Sequence, residues 1–131
     1  MRVIDFGGRE HNWPPSMGRV NKTAKKSDLH IRCRKILHRL YGTQPILEEV
    51  PIPVKTKLFL DFYLPLQQVA VECHGRQHYE FIPHFHGTRR AFVSSQQRDR
   101  DKAEWCNINN ITLIILPYTE TDSEWTTRLN N

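Results

Sequence analysis

The chain has 131 residues, near the usual size of one domain and long enough to bury a core without covalent staples. A formal charge of +5 and a pI near 9.3 favour an acidic partner such as nucleic acid over a small neutral ligand. Three scattered cysteines argue against a disulfide framework, and no apolar run approaches the roughly 18 to 20 residues that span a bilayer. The opening MRVIDFGGRE lacks the pattern of a secretory leader, so a reducing, cytoplasmic setting without a membrane is expected.

Residues 1–26 are rich in Gly, Pro, Arg and Lys, show no sustained period and end in NKTAKK. They read as an irregular basic arm, either solvated or reaching phosphates, ahead of a folded domain over 27–131. Ser27 or Asp28 then offers an N-cap, and Leu29, Cys33, Ile36, Leu37 and Leu40 recur at helical spacing up to Gly42. Arg32, Arg34, Lys35, His38 and Arg39 take the opposite face, solvated or facing a phosphate backbone.

Three strand signals follow, Pro45 to Ile52, Lys57 to Tyr63 and Gln68 to His74, with links short enough for an antiparallel meander. A loop from Gly75 to about Gly87 leads to a helix from Arg89 to about Asn107. An apolar strand, Ile111 to Leu116, comes next, and Thr121 or Asp122 can cap a last helix ending near Leu129. The order α-β-β-β-α-β-α predicts an α/β (α+β) fold, its mixed sheet flanked by helices, because a helical crossover returns the fourth strand parallel.

Strand alternation puts Glu72 and His74 on one face with Ala70, and Asp61 on one face with Phe59 and Tyr63. If these strands are neighbours, Asp61 and Glu72 meet across them. Two carboxylates that close repel unless a cation lies between, and hard oxygen ligands with open positions suit magnesium holding a phosphate and a water. Such an ion can promote phosphodiester hydrolysis. His74 stands beside them to position or deprotonate water, and Gly75 lets a bulky substrate approach the backbone. Gln77 and His78 lie at the rim.

On the second long helix, Phe92, Asp99, Ala103 and Cys106 fall on one inward stripe, so the Asp99 carboxylate needs a partner, with His74 or donors around Arg98 as candidates. Arg98, Arg100 and Lys102 project on flanking faces toward a nucleic-acid backbone. A zinc site drawn from Cys73, His74, His78, His84, His86 and Cys106 is an alternative, although its spacing fits no common zinc module. In FIPHFHGTRR, Phe81 and Phe85 either pack or stack on bases, while Arg89 and Arg90 can meet phosphates.

Over residues 28–118 the sequence resembles the PD-(D/E)XK nuclease superfamily, in the branch around the very-short-patch repair endonuclease and short endonuclease-like proteins of bacteria and phages. Asp61 followed by Glu72-Cys73-His74 is similar to its Asp, then Glu-x-Lys signature, with His74 where lysine is commoner. ECHGRQH resembles the E-x-[DH]-G-x-Q-H segment of the short relatives, and RDRDKAEW before TLIILPY resembles their Arg-Asp-rich helix and closing strand. The resemblance implies a restriction-endonuclease-like core and a Mg2+-dependent endodeoxyribonuclease, Mn2+ substituting, in a bacterial or phage-infected cell.

It implies a metal site at Asp61, Glu72 and Cys73, with His74, Gln77, His78 and Asp99 completing the catalytic set and His74 working with Asp99. Double-stranded or branched DNA would lie along Lys57, Arg76, Arg89, Arg90, Arg98, Arg100 and Lys102, bound by a monomer or homodimer. The chain departs from the pattern in two places. The first helix carries no glutamate, leaving Asp28, Glu48 or Glu49 as substitutes, and the zinc-binding cysteines of the very-short-patch enzymes are missing. A non-catalytic nucleic-acid-binding module and a phage assembly protein are the alternative functions.

Overall fold

The computed structural model describes residues 1–13 and 27–130; the remainder of the basic arm, NKTAKK included, lies outside the described residues. The first helix, α1 (Asp28–Tyr41), starts where expected, Ser27 Oγ accepting from the His30 amide at 3.1 Å. It buries Cys33, Ile36 and Leu37 as its spacing requires, and also His30.

Strands β3 (Leu47–Pro51), β4 (Phe59–Leu64) and β5 (Val69–His74) form the antiparallel meander. The long helix α3 (Arg89–Ile108) crosses over and returns β6 (Thr112–Pro117) parallel to β5, giving the sheet order β3-β4-β5-β6. Helix α4 (Asp122–Asn130) closes the described chain. The fold is mixed α/β with a mixed four-stranded sheet and helices on its faces. No helix among the described residues is long and apolar enough to cross a membrane.

Two apolar cores sandwich the sheet. Cys33, Ile36 and Leu37 of α1 pack with Phe62, Val71, Leu116 and Trp125, while Trp105 and Cys106 of α3 pack with Tyr63, Ala70, Val50 and Leu60. Phe62 and Leu60 therefore sit in different cores, against strict alternation. The β4–β5 ladder covers only Phe62 to Leu64 and the β3–β4 ladder skips Glu49 and Asp61, so regular alternation breaks at Asp61.

The irregular-arm reading of residues 1–26 is corrected at its start. Residues Arg2–Ile4 (β1) and Glu10–Asn12 (β2) form a hairpin, its turn held by Asp5, whose carboxylate accepts from the Gly7 and Arg9 amides, and by Gly8 at φ 81°. Val3 and Trp13 enter the α3-side core, where Trp13 packs on Tyr63 and Trp105 and donates to the Pro51 carbonyl. Three-residue strands carry too little period to be read locally; tertiary packing makes them. The expected 75–87 loop contains a 3-10 turn, Arg76–His78, and a one-turn helix, α2 (Pro83–His86).

Candidate active site

The site is built where β4 and β5 part. Beyond the Phe62–Val71 pair the backbone ladder gives way to side chains: the Asp61 amide donates to Glu72 Oε2 at 2.9 Å and the Cys73 amide donates to Asp61 Oδ2 at 3.0 Å. Each carboxylate thus takes an amide of the other's strand, and this wedge holds the two acids side by side. The cross-strand approach expected from alternation is present.

Glu72 is only 2% exposed. Burial, then the neighbouring Asp61 charge, pushes its carboxyl well above the usual carboxylate range, with Lys102 opposing. The Lys102 ammonium lies 2.7 Å from Glu72 Oε1, yet off the hydrogen-bonding direction, so that oxygen has an ion-pair partner but no aligned donor. Burial works against the Lys102 charge, but Glu72, Asp61 and Asp99 more than offset it and its pKa is raised. Lys102 therefore turns inward to the acids and lines the pocket instead of projecting on a flanking face as expected. Its position three residues after Asp99 and three before Trp105 puts it on the same helical face, a signal the sequence did carry.

Asp99 is held by His78, not His74: the His78 Nδ1 to Asp99 Oδ2 distance is 2.8 Å. The 3-10 turn after Gly75 folds His78 back over His74, so their rings stack parallel, centroids 4.0 Å apart. Burial would raise the Asp99 pKa, but the His78 hydrogen bond brings it below the ordinary value. Burial, then His78, drives His74 down to about 4, leaving it neutral near pH 7. A Cβ on Gly75 would meet Gln77 Oε1 at 2.5 Å, so this glycine seats the Gln77 side chain.

A pocket of about 660 Å³ opens over this array. Asp61, Gln77, His78, Asp99 and Lys102 line it, joined by Glu49, Lys57 and Arg98. Of the substitutes for the absent helix glutamate, Glu49 alone reaches the pocket, from a break in the β3–β4 ladder between the Glu48–Phe62 and Val50–Leu60 pairs and strained to φ 49°. Glu48 points to α1, where His30 Nε2 lies 2.6 Å from Oε1 and Arg34 donates to both oxygens. Asp28 borders a separate groove with Arg32 and Lys35.

Cys73 does not line the pocket. Its thiol turns to the α1 side and approaches Asp61 Oδ2 at 3.5 Å; a hydrogen bond with Cys33, then burial, pushes its pKa up. The thiol braces Asp61 from the α1 side, and the pocket lining does not include this expected member of the metal set. The zinc set is not assembled either. His86 is held by the Gln77 carbonyl and by Ile82, and among the described residues the compact His/Cys/Asp/Glu group is His74, His78 and Asp99.

The remaining basic residues scatter. Arg76 pairs with Glu80, Arg100 donates to Gln97, and Arg89 lies over the Phe81 ring at 4.7 Å. Arg90 is exposed on the first turn of α3. On α1, Arg32 pairs with Asp122 and covers Trp125, so that part of the basic face is spent inside the molecule.

No family model matches the sequence, and no solved structure matches it. Three viral proteins are similar. Uncharacterized protein 307L of Invertebrate iridescent virus 6 is 51% identical over 65 residues, half of this chain and 33% of that protein. Uncharacterized protein 033L of Invertebrate iridescent virus 3 is 32% identical over 94 residues, 68% of this chain and 48% of the relative. Uncharacterized protein 094L of Frog virus 3 (isolate Goorha) is 41% identical over 68 residues, 51% of this chain and 44% of its own length. The matched stretches thus span between a third and a half of these relatives.

Proposed function

We propose that the chain is a metal-dependent endonuclease with a restriction-endonuclease-like core, acting on DNA in a virus-infected cell. The observation that carries the reading is the convergence of Asp61, Lys102 and the His78–Asp99 pair on one open pocket, with Glu72 buried behind them against Asp61 and Lys102. The element order and the Asp61, Glu72-Cys73-His74 spacing support it, and the viral relatives support the setting.

The donor set fits a hard divalent cation. Glu72 Oε1 is buried without an aligned donor, and the adjoining acids repel, so a cation held by Asp61 and Glu72 would satisfy the one and relieve the other. When bound, magnesium or manganese supplies a Lewis acid for the phosphodiester and lowers the pKa of a bound water.

The chain's own groups do the rest. With its Nδ1 proton donated to Asp99, His78 presents Nε2 as an acceptor to take the proton of an attacking water. Lys102 places beside Glu72 the ammonium that the nuclease signature carries two residues later, and so balances charge developing on the phosphate. Neutral His74 packs beneath His78 and fixes its ring plane. Lys57 and Arg98 draw the backbone to the pocket mouth.

Incubating plasmid and oligonucleotide DNA with the purified chain and Mn2+ or Mg2+ tests the reading. Cleavage is expected, lost with EDTA and with Asp61→Ala or Glu72→Ala. Salt-sensitive binding with no cleavage under either metal would leave a nucleic-acid-binding module in its place.

A further inference from the structure

The pocket has a wall that phosphodiester chemistry does not use. Phe59 and Phe85 line it and are 45% and 64% exposed, and buried Leu58 adds to the same apolar surface. Both loop aromatics meet His86, but Phe81 also packs on Phe92 beneath the Arg89 guanidinium, whereas Phe85 meets His86 edge-on and stays mostly exposed. The loop therefore has a core to bury a ring in, yet leaves Phe85 facing the cavity.

Exposed aromatic surface beside a cationic rim suits a ligand that is flat and apolar on one part and anionic on another. A nucleotide is such a ligand. At about 660 Å³ the pocket falls in the roughly 300–1,000 Å³ range of cavities that hold small organic groups. Lys57 and Arg98 line the same pocket and supply the charge that a phosphate needs. A continuous duplex offers phosphates outward but keeps its base faces stacked inside, out of reach of Phe59 and Phe85.

We infer that this pocket takes an unstacked nucleobase next to the scissile phosphate, so that the substrate is single-stranded or carries an extrahelical base. The inference rests on the nuclease reading for the phosphate and deepens it by naming the substrate class. Phe59 and Phe85 offer ring faces that any base can stack on, while Gln77 and Ser95 supply polar groups elsewhere in the lining.

The test is binding without metal, followed by anisotropy, of three labelled oligonucleotides of equal length: single strand, perfect duplex, and duplex with one bulged 2-aminopurine. The expected result is tighter binding of the single strand and bulge by roughly tenfold or more, with 2-aminopurine quenching on binding. Phe85→Ala should cost roughly tenfold on those two ligands and leave the duplex unchanged, while Phe85→Trp restores them. Because Phe85 is mostly exposed, its truncation does not threaten the fold.

Equal affinity for all three ligands, binding of none, or an equal loss on all three with Phe85→Ala overturns the inference. A cleavage assay with Mn2+ separates it from its premise. Preferential binding of the bulge with no cutting sinks the nuclease reading alone; cutting of plain duplex without preference sinks the unstacked-base reading alone.

Discussion

Two polar clusters flank β5, one on each face of the sheet, and both contain a histidine, a buried glutamate and a long cation. On the α1 side, Glu48 has both oxygens taken, by His30 at 2.6 Å and by Arg34 at 2.8 and 2.9 Å. On the α3 side, Glu72 has one amide donor and one off-axis ammonium. Glu72 is the more deeply buried of the two, 2% against 9% exposed, and their pKa values move apart. Burial opposes ionisation of Glu48, but Arg34 and His30 overcome it and hold the group below its ordinary value; Glu72 is pushed well above. Burial alone does not mark a functional acid. A second acid alongside, with an open pocket over the pair, is the stronger sign.

The largest effect that sharpens this contrast is on the open side. Asp61→Asn removes the charge that repels Glu72 while keeping an oxygen for the Cys73 amide. Cleavage should fall about 10³-fold or more, while stability rises by about 1 kcal/mol, or roughly 4 °C in Tm, the trade expected where function imposes repulsion. Calorimetry and a cleavage time course measure both. A loss of stability would mean that Asp61 is structural.

The closed cluster should respond the other way. Glu48→Gln leaves Arg34 and His30 without a counter-charge and should cost about 2 kcal/mol, near the low end for a broken buried pair because Arg34 is 33% exposed. Cleavage by the folded fraction should change little. If the variant instead loses activity at full stability, the two clusters are one machine joined through Cys73 and Asp61.

Asp99→Asn comes third. It removes the carboxylate that sets the His78 tautomer, so cleavage should drop roughly 100-fold with the metal requirement unchanged. Loss of metal affinity would point to Asp99 as a ligand. The acid limb of the pH profile carries the same logic. Glu72, raised by burial and by Asp61, must ionise to hold a cation, so activity should climb with pH and the limb should move to lower pH as metal rises. A limb indifferent to metal belongs to another group.

The open cluster was more legible in the sequence than the closed one, for a physical reason. Asp61, Glu72 and His74 lie on strands, where a period of two assigns faces without knowing the tertiary contacts. Asp99 was visible as an inward acid on a helix, but its partner depended on a 3-10 turn that no local pattern encodes, and so went to His74 instead of His78. Lys102 shared the signal of Asp99 and was misread because lysines are usually solvated. His30 and Glu48 sit among apolar neighbours, and only the α1–β3 packing brings them together. The β1–β2 hairpin was lost for the same reason, its stability residing in Trp13 against Tyr63 and Trp105.

The smallest effect is the pH dependence of stability, and the two clusters should leave opposite signs. Glu48, held low, contributes stability that is present above the ordinary carboxylate pKa and lost as pH falls through its folded value. His30 is raised, by its contact with Cys73 first and by Glu48 against the cost of burial. It contributes stability below the ordinary histidine pKa that is lost as pH rises through its folded value. The closed cluster alone thus gives a shallow Tm maximum between the carboxylate and histidine ranges. Glu72, raised, works against folding wherever it is ionised, so it erodes the alkaline side of that maximum. In Tm measured from about pH 2 to 8, Glu48→Gln should flatten the acid side and Asp61→Asn should lift the alkaline side. Identical profiles for both variants would show that the two faces of β5 titrate as one network.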